Sequence, residues 1–126
     1  MASSAFLPTT KTALTTVKDI ICGKVLSGST STAVTASGAT AIDASLNNVF
    51  AVNVTATTTV SISNHLPGQV ITFIVTGGGS GNPVMTFGTG FKSTGTLTCT
   101  DAATFTISFI SNGTSVFQIA RSTALS

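Results

Sequence analysis

The scarcity of charge constrains this chain more than any other property. Its 126 residues include five Lys or Arg and three Asp or Glu, and 41 are Ser or Thr. An ordinary soluble domain is about 25% charged, against 6% here. So few ions cannot coat a free-standing domain, and most of the exterior must be hydroxyl, amide and apolar surface. Contiguous exposed apolar surface usually marks a contact site. A chain of this kind suits packing against copies of itself or against a partner, and a building part is expected rather than a catalyst.

The length fits one domain able to bury roughly two-thirds of its unfolded surface. No apolar run approaches the ~18 residues of a membrane span; the richest, Val70 to Val75, is interrupted by Thr72. The start, through Phe6, Leu7 and Pro8, has no basic region followed by an apolar stretch, so no secretory signal is expected. Net charge is +2. The basic residues Lys11, Lys18, Lys24, Lys92 and Arg121 are scattered, whereas nucleic-acid binders gather them on one face. Neither nucleic acid nor membrane is an expected partner. Cys22 and Cys99 stand far apart, and without an export signal both are expected as free, buried thiols.

Residues 1–37 read as an N-terminal arm or linker. They hold three of the five basic residues, and their 27–32 tract, Ser-Gly-Ser-Thr-Ser-Thr, has little to bury. Leu14, Val17, Ile21 and Val25 recur at helical spacing, yet 19–26 equally suits a short strand or first strand. The arm supplies candidate contacts to a neighbouring subunit at Phe6, Leu7, Lys11 and Lys18.

Residues 38–126 read as one β domain. Phe50, Val52 and Val54, then Val60 and Ile62, fall at period two, giving each strand one apolar face. In 69–76, Ile71, Phe73 and Val75 form one face and Val70 and Ile74 the other, which predicts a central strand covered on both sides. The glycine-rich 77–83 reads as a long mobile hairpin loop. Further strands are expected at 84–87, 94–98, 104–110 and 116–121. Seven or eight short strands punctuated by turns predict an all-β fold, an antiparallel β-sandwich or barrel.

The last hairpin allows a sharper expectation. If Phe105, Ile107 and Phe109 share a core face with Phe117 and Ile119, a two-residue turn at Asn112-Gly113 is excluded, because a one-residue slip flips every side chain. A three-residue loop, Ser111-Asn112-Gly113, pairs 107 with 117 and 105 with 119. Asn112 and Gly113 are then the structural turn, with Gly113 at positive φ.

Chemistry-bearing residues are few. General acid-base work needs carboxylates or histidines gathered in a pocket, and the chain offers Asp19, Asp43, Asp101 and His65, with no acids close in sequence. His65 reads as a solvent-facing loop residue. Zinc needs three or four ligands at suitable spacing, and neither a metal nor a cofactor is expected. The Gly-x-Ser-x-Gly elbow is absent. The glycine run of 77–81 lacks the Gly-Lys ending of a phosphate loop. Abundant Thr raises ice binding, but no fixed repeat of a solenoid appears along the chain. Glycan binding commonly uses Trp or Tyr, and there is neither. Most of the eight Phe fit apolar strand faces, so core packing is the default expectation for them.

One resemblance covers about two-thirds of the chain. Ile42-Asp43-Ala44, Asn48 to Val52, Val60-Ser-Ile62-Ser-Asn64, Pro67-Gly68-Gln69 to Phe73, the glycine-rich loop, and Ile107-Ser-Phe109 with Asn112-Gly-Thr114 follow one another. In that order they resemble a β-module of tailed-bacteriophage virion proteins, found among head decoration and tail or fibre proteins. That module often has Trp after the Asn-Gly turn, where this chain has Phe117.

The resemblance implies a non-enzymatic virion structural protein with no catalytic residues to carry over. A single short module looks like a capsid decoration, or cement, protein. It would act as a homotrimer on the major capsid protein at the head surface, after synthesis in the host cytoplasm. The alternatives are a tail or fibre component binding a host receptor, and a secreted adhesin or carbohydrate-binding domain.

Overall fold

The computed structural model describes residues 30–125, with strands, turns and loops but no helix among them. Eight strands follow in chain order: β1 Val34–Asp43, β2 Val49–Ser63, β3 Val70–Gly77, β4 Val84–Phe87, β5 Phe91–Lys92, β6 Leu97–Thr98, β7 Thr104–Ser111 and β8 Val116–Arg121. The chain is all-β. Its Thr- and Val-rich alternation has the expected cause, since branched side chains pack well on a pleated surface.

The connectivity corrects the expected antiparallel sandwich or barrel. β2 runs parallel to β1 along both of its halves, with Val34 opposite Val52 and Ile42 opposite Ile62. The first half of β2 is also parallel to β3, with Phe50 opposite Phe73, and the second half to β4, with Thr59 opposite Thr86. Three passes of the chain therefore stack in one direction, each with two arms, as in a short β-solenoid. Parallel neighbours cannot be joined by a tight turn. Corners at 44–48 and 64–69 return the chain to the start of the next pass.

No fixed repeat betrays this stacking because the passes differ in length. The offset is 18 residues from Val34 to Val52 and 20 from Thr40 to Val60. It grows to 23 from Val49 to Thr72 and 27 from Thr58 to Met85. At the bend β2 carries extra residues: Ala36 pairs with Val54, but Gly38 already pairs with Thr58. Gly38, at φ 64°, lets β1 follow that bend. The position expected to open the β domain thus lies inside β1.

The far end of the stack turns back on itself. β7 is antiparallel to β3, β6 to β4 and β8 to β7, while β5 adds beside β8 with Phe91 opposite Val116. At the opposite end β1 pairs only with β2 among the described residues.

The core lies between the two arms. Phe50, Val52, Val54, Ile71, Phe73, Val75, Phe105, Ile107 and Phe109 face inward from one arm, and Ile42, Val60, Ile62 and Met85 from the other. The arms meet through rings: Phe87 lies 5.5 Å and Phe91 5.0 Å from Phe109. Phe73 stands edge-on to Phe109 at 5.8 Å. Such tilted pairs add about 0.5–1.5 kcal/mol beyond burial. The buried hydroxyls of Thr40 and Thr58 satisfy each other at 3.0 Å.

The glycine-rich 77–83 is a tight corner and corrects the expected mobile hairpin, since β3 and β4 are not partners. Gly78 N donates to Val54 O at 2.9 Å. A Cβ at Gly78 would run into the Asn53 side chain, and one at Gly79 into the Thr55 backbone. Glycine is needed here because the adjacent pass comes so close.

Candidate interaction face

The titratable groups are spread through the fold as structural braces. Asp43 Oδ1 accepts from Ser45 Oγ at 2.6 Å, Asn64 Nδ2 at 3.1 Å and Ser45 N at 3.0 Å. It ties the first corner to the second. These bonds, that of the Ser45 hydroxyl foremost, hold its carboxyl below the usual aspartate range.

His65 is half-buried rather than solvent-facing. Its Nδ1 lies 2.7 Å from Ser111 Oγ, which also accepts from Gly113 N at 2.9 Å. The ring braces the β7–β8 loop against the 64–69 corner. Cys99 is buried and free, and burial raises its thiol pKa. Asp101 sits exposed at a shallow cavity of about 220 Å³ with Ala102, Ala103, Ala124 and Leu125. Among the described residues no group of three His, Cys, Asp or Glu could hold a metal ion.

The distinctive surface is the outer face of β3, β7 and β8. Val70, Ile110 and Phe117 form one row across three strands. Thr72, Ser108 and Ala120 form the next, followed by Ile74 with Thr106 and Thr76 with Thr104. Val70 is 47% exposed, Phe117 41% and Ile119 56%. Ile74 and Ile110 are exposed with them. The expected cover on the second face of β3 is absent among the described residues.

No charged residue interrupts these rows. Arg121, on β8, packs its guanidinium 5.5 Å from the centre of the Phe87 ring. Its Nη1 donates to Thr96 O at 2.8 Å and its Nη2 to Gln118 Oε1 at 2.9 Å. The one basic group of the strand is thus held opposite Ile107, whose side chain belongs to the core.

The β7–β8 loop explains why Phe117 faces out, and it corrects the expected register. Ser111 pairs with Val116 and Ile110 with Phe117, leaving a four-residue loop. Asn112 Oδ1 accepts from Thr114 N at 2.9 Å and Ser115 N at 2.8 Å, the side-chain bonding that favours Asn in turns. Gly113 has the expected positive φ, 91°, but within this longer loop. Fully buried Val116 takes the core position expected for Phe117. A register shift between Ser108 and Phe109 then leaves Ile119 outside as well.

This face is missed by a reading that places Phe117 and Ile119 in the core and expects a cover over Val70 and Ile74. The available signal was Val116, which offered the core a branched residue one position earlier. The arm residues Phe6, Leu7, Lys11 and Lys18, together with Cys22, lie outside the described residues. The chain matches no protein-family model, and no curated protein or solved structure matches it.

Proposed function

We propose that this chain is a non-enzymatic structural protein of a virion, a decoration or cement protein that docks its uncharged sheet face on the major capsid protein. The observation that carries the docking is the exposed row Val70, Ile110 and Phe117 with Ile74 and Ile119 beside it. Apolar surface of this kind pays for itself only when covered. The virion setting rests on the resemblance of the motifs from Ile42 to Thr114.

Size supports a role as one contact among many. Three strands about 4.8 Å apart and six residue steps of about 3.3 Å span roughly 300 Å². A stable pairwise interface buries about 800 Å² on each partner. A face well under half that size suits a lattice, where multivalency multiplies weak contacts, and a homotrimer would present three such faces.

The test is reconstitution. Purified protein is added to capsids lacking it, and their resistance to heat and low salt is measured. Wild type is expected to bind and protect, and Phe117→Ser with Ile110→Ser to bind at least tenfold more weakly. Equal protection by the double variant, or none by the wild type, overturns the proposal.

A second reading, a tail or fibre component, is favoured by the parallel stacking of β1, β2 and β3, an architecture that elongates naturally. Labelled particles separate the two by copy number on head and tail.

A further inference from the structure

Asn112 is the only Asn of the chain that is followed by Gly. An Asn side-chain amide and the next backbone nitrogen can close a cyclic imide, and a following glycine favours this because no Cβ obstructs the approach. The fold enforces glycine at 113. Its φ is 91°, and a Cβ there would come within 2.8 Å of Pro67 Cγ. Pro67 belongs to the 64–69 corner, which also carries His65.

The groups around this pair match the needs of ring closure. The nucleophile is Gly113 N, which must give up its proton. It donates to Ser111 Oγ at 2.9 Å, and that oxygen lies 2.7 Å from His65 Nδ1. While its oxygen accepts from Gly113, the Ser111 hydroxyl has its own proton to give to Nδ1, in the imidazole tautomer protonated at Nε2. A relay thus runs from the backbone N–H to an imidazole through a buried serine.

The electrophile is Asn112 Cγ. Its Oδ1 accepts from Thr114 N at 2.9 Å and from Ser115 N at 2.8 Å. Paired backbone donors of this kind stabilise the negative charge that develops on a carbonyl oxygen under attack. Base, nucleophile and oxygen donors therefore converge on one peptide unit.

We infer that Asn112 and Gly113 form a self-modification site, at which the chain deamidates its own Asn112 with Ser111 and His65 as the proton relay. Gly113 N bonds to Asn112 Cγ as its proton passes to Ser111 Oγ and the hydroxyl proton passes to His65 Nδ1. The carbonyl oxygen becomes an anion held by Thr114 N and Ser115 N. The Cγ–Nδ2 bond then breaks, Nδ2 takes up the displaced proton, and ammonia leaves a cyclic imide behind. Water adds to either imide carbonyl, giving Asp or isoaspartate at 112. In sum one amide and one water become one carboxyl group and one ammonia. The product puts a negative charge in the loop that joins Ile110 to Phe117, so the apolar row acquires a charged end as the chain ages.

Incubation of the full chain at neutral pH, followed by peptide mass analysis, tests this. The Asn112 peptide is expected to lose ammonia and then gain the mass of deamidation faster in the folded chain than in the urea-unfolded one, by about tenfold or more, within what positioned acid-base groups contribute. Equal or slower conversion in the folded chain overturns the inference.

His65→Gln removes the base but keeps a polar group beside Ser111. Its folded rate is expected to fall to that of the unfolded chain while the Gly68 and Asn112 amides, bonded to Ser111 O and Ser115 O, stay protected from hydrogen exchange. A bracing role alone predicts an unchanged rate as long as the loop stays closed, and that result overturns the relay. Should His65→Gln free those amides, Ser111→Ala decides by the same comparison. A rate that falls to the unfolded value supports the relay, and an unchanged rate overturns it.

Discussion

Ile110 and Phe117 are direct cross-strand partners on the outer surface of the sheet, exposed at 39% and 41%. The residue before Ile110 in sequence, Phe109, is completely buried. Two adjacent residues of β7 therefore serve opposite faces, and substitution of Phe109 and of Ile110's outer partner Phe117 should separate the two faces. Phe117→Ser should change the free energy of urea unfolding by no more than about 0.5 kcal/mol, as surface changes usually do. Phe109→Ala should cost about 3–5 kcal/mol. Similar losses for both would mean that Phe117 belongs to the core.

Gly79 is expected to be irreplaceable for steric reasons. A methyl there meets the Thr55 backbone, which cannot rotate away as a side chain would. Gly79→Ala should destabilise by about 1–3 kcal/mol, the usual cost of overpacking. Exposed Ser80→Ala in the same corner should be nearly neutral. Urea midpoints of the two variants provide the comparison.

Asp43 predicts a sign for acid sensitivity. Its folded-state pKa is depressed, chiefly by the Ser45 hydroxyl. Its stabilisation is therefore fully present above the unfolded aspartate value, about 3.9. It is lost as pH falls through that value toward the lower folded one. Asp43→Asn should flatten the fall in thermal midpoint across this acid window. An unchanged slope in the variant would show that another carboxylate dominates.

Cys99 should be chemically silent in the folded chain. It is buried with a raised thiol pKa, and thiolate is the reactive form. Alkylation at pH 8 followed by peptide mass analysis should leave the Cys99 peptide unmodified until urea is added. Rapid native labelling would reveal local opening around β6.

The apolar interior was legible in the sequence where it alternates. Phe50, Val52, Val54, Val60 and Ile62 could be placed on inward faces by period two alone, because each strand offers one plainly apolar side. The strands at 84–87, 104–110 and 116–121 were visible for the same reason. Direction was not legible: alternation is identical in parallel and antiparallel strands, and hairpin-like loops around Pro67-Gly68 and 77–83 suggested reversal where the chain in fact goes around.

The outer face was lost through one assumption. Treating Phe117 and Ile119 as core residues fixed the register of β8, although Val116 and the turn chemistry of Asn112 support the other choice. Hydrophobicity identifies what prefers burial without saying whether its cover comes from the same chain. That distinction becomes visible only when Val116 is seen to have filled the space.

The unequal passes of the stack carry a consequence for folding. In a solenoid with a strict repeat, any turn can settle on any other, and a chain slipped by a whole turn remains well bonded. Here offsets of 18, 20, 23 and 27 residues give each strand only one neighbour whose corners fit. A slipped chain would strand residues at a corner or stretch one beyond its reach. Irregularity thus works as an address, and it directs an otherwise monotonous Thr-, Ser- and Val-rich sequence toward a single native pairing.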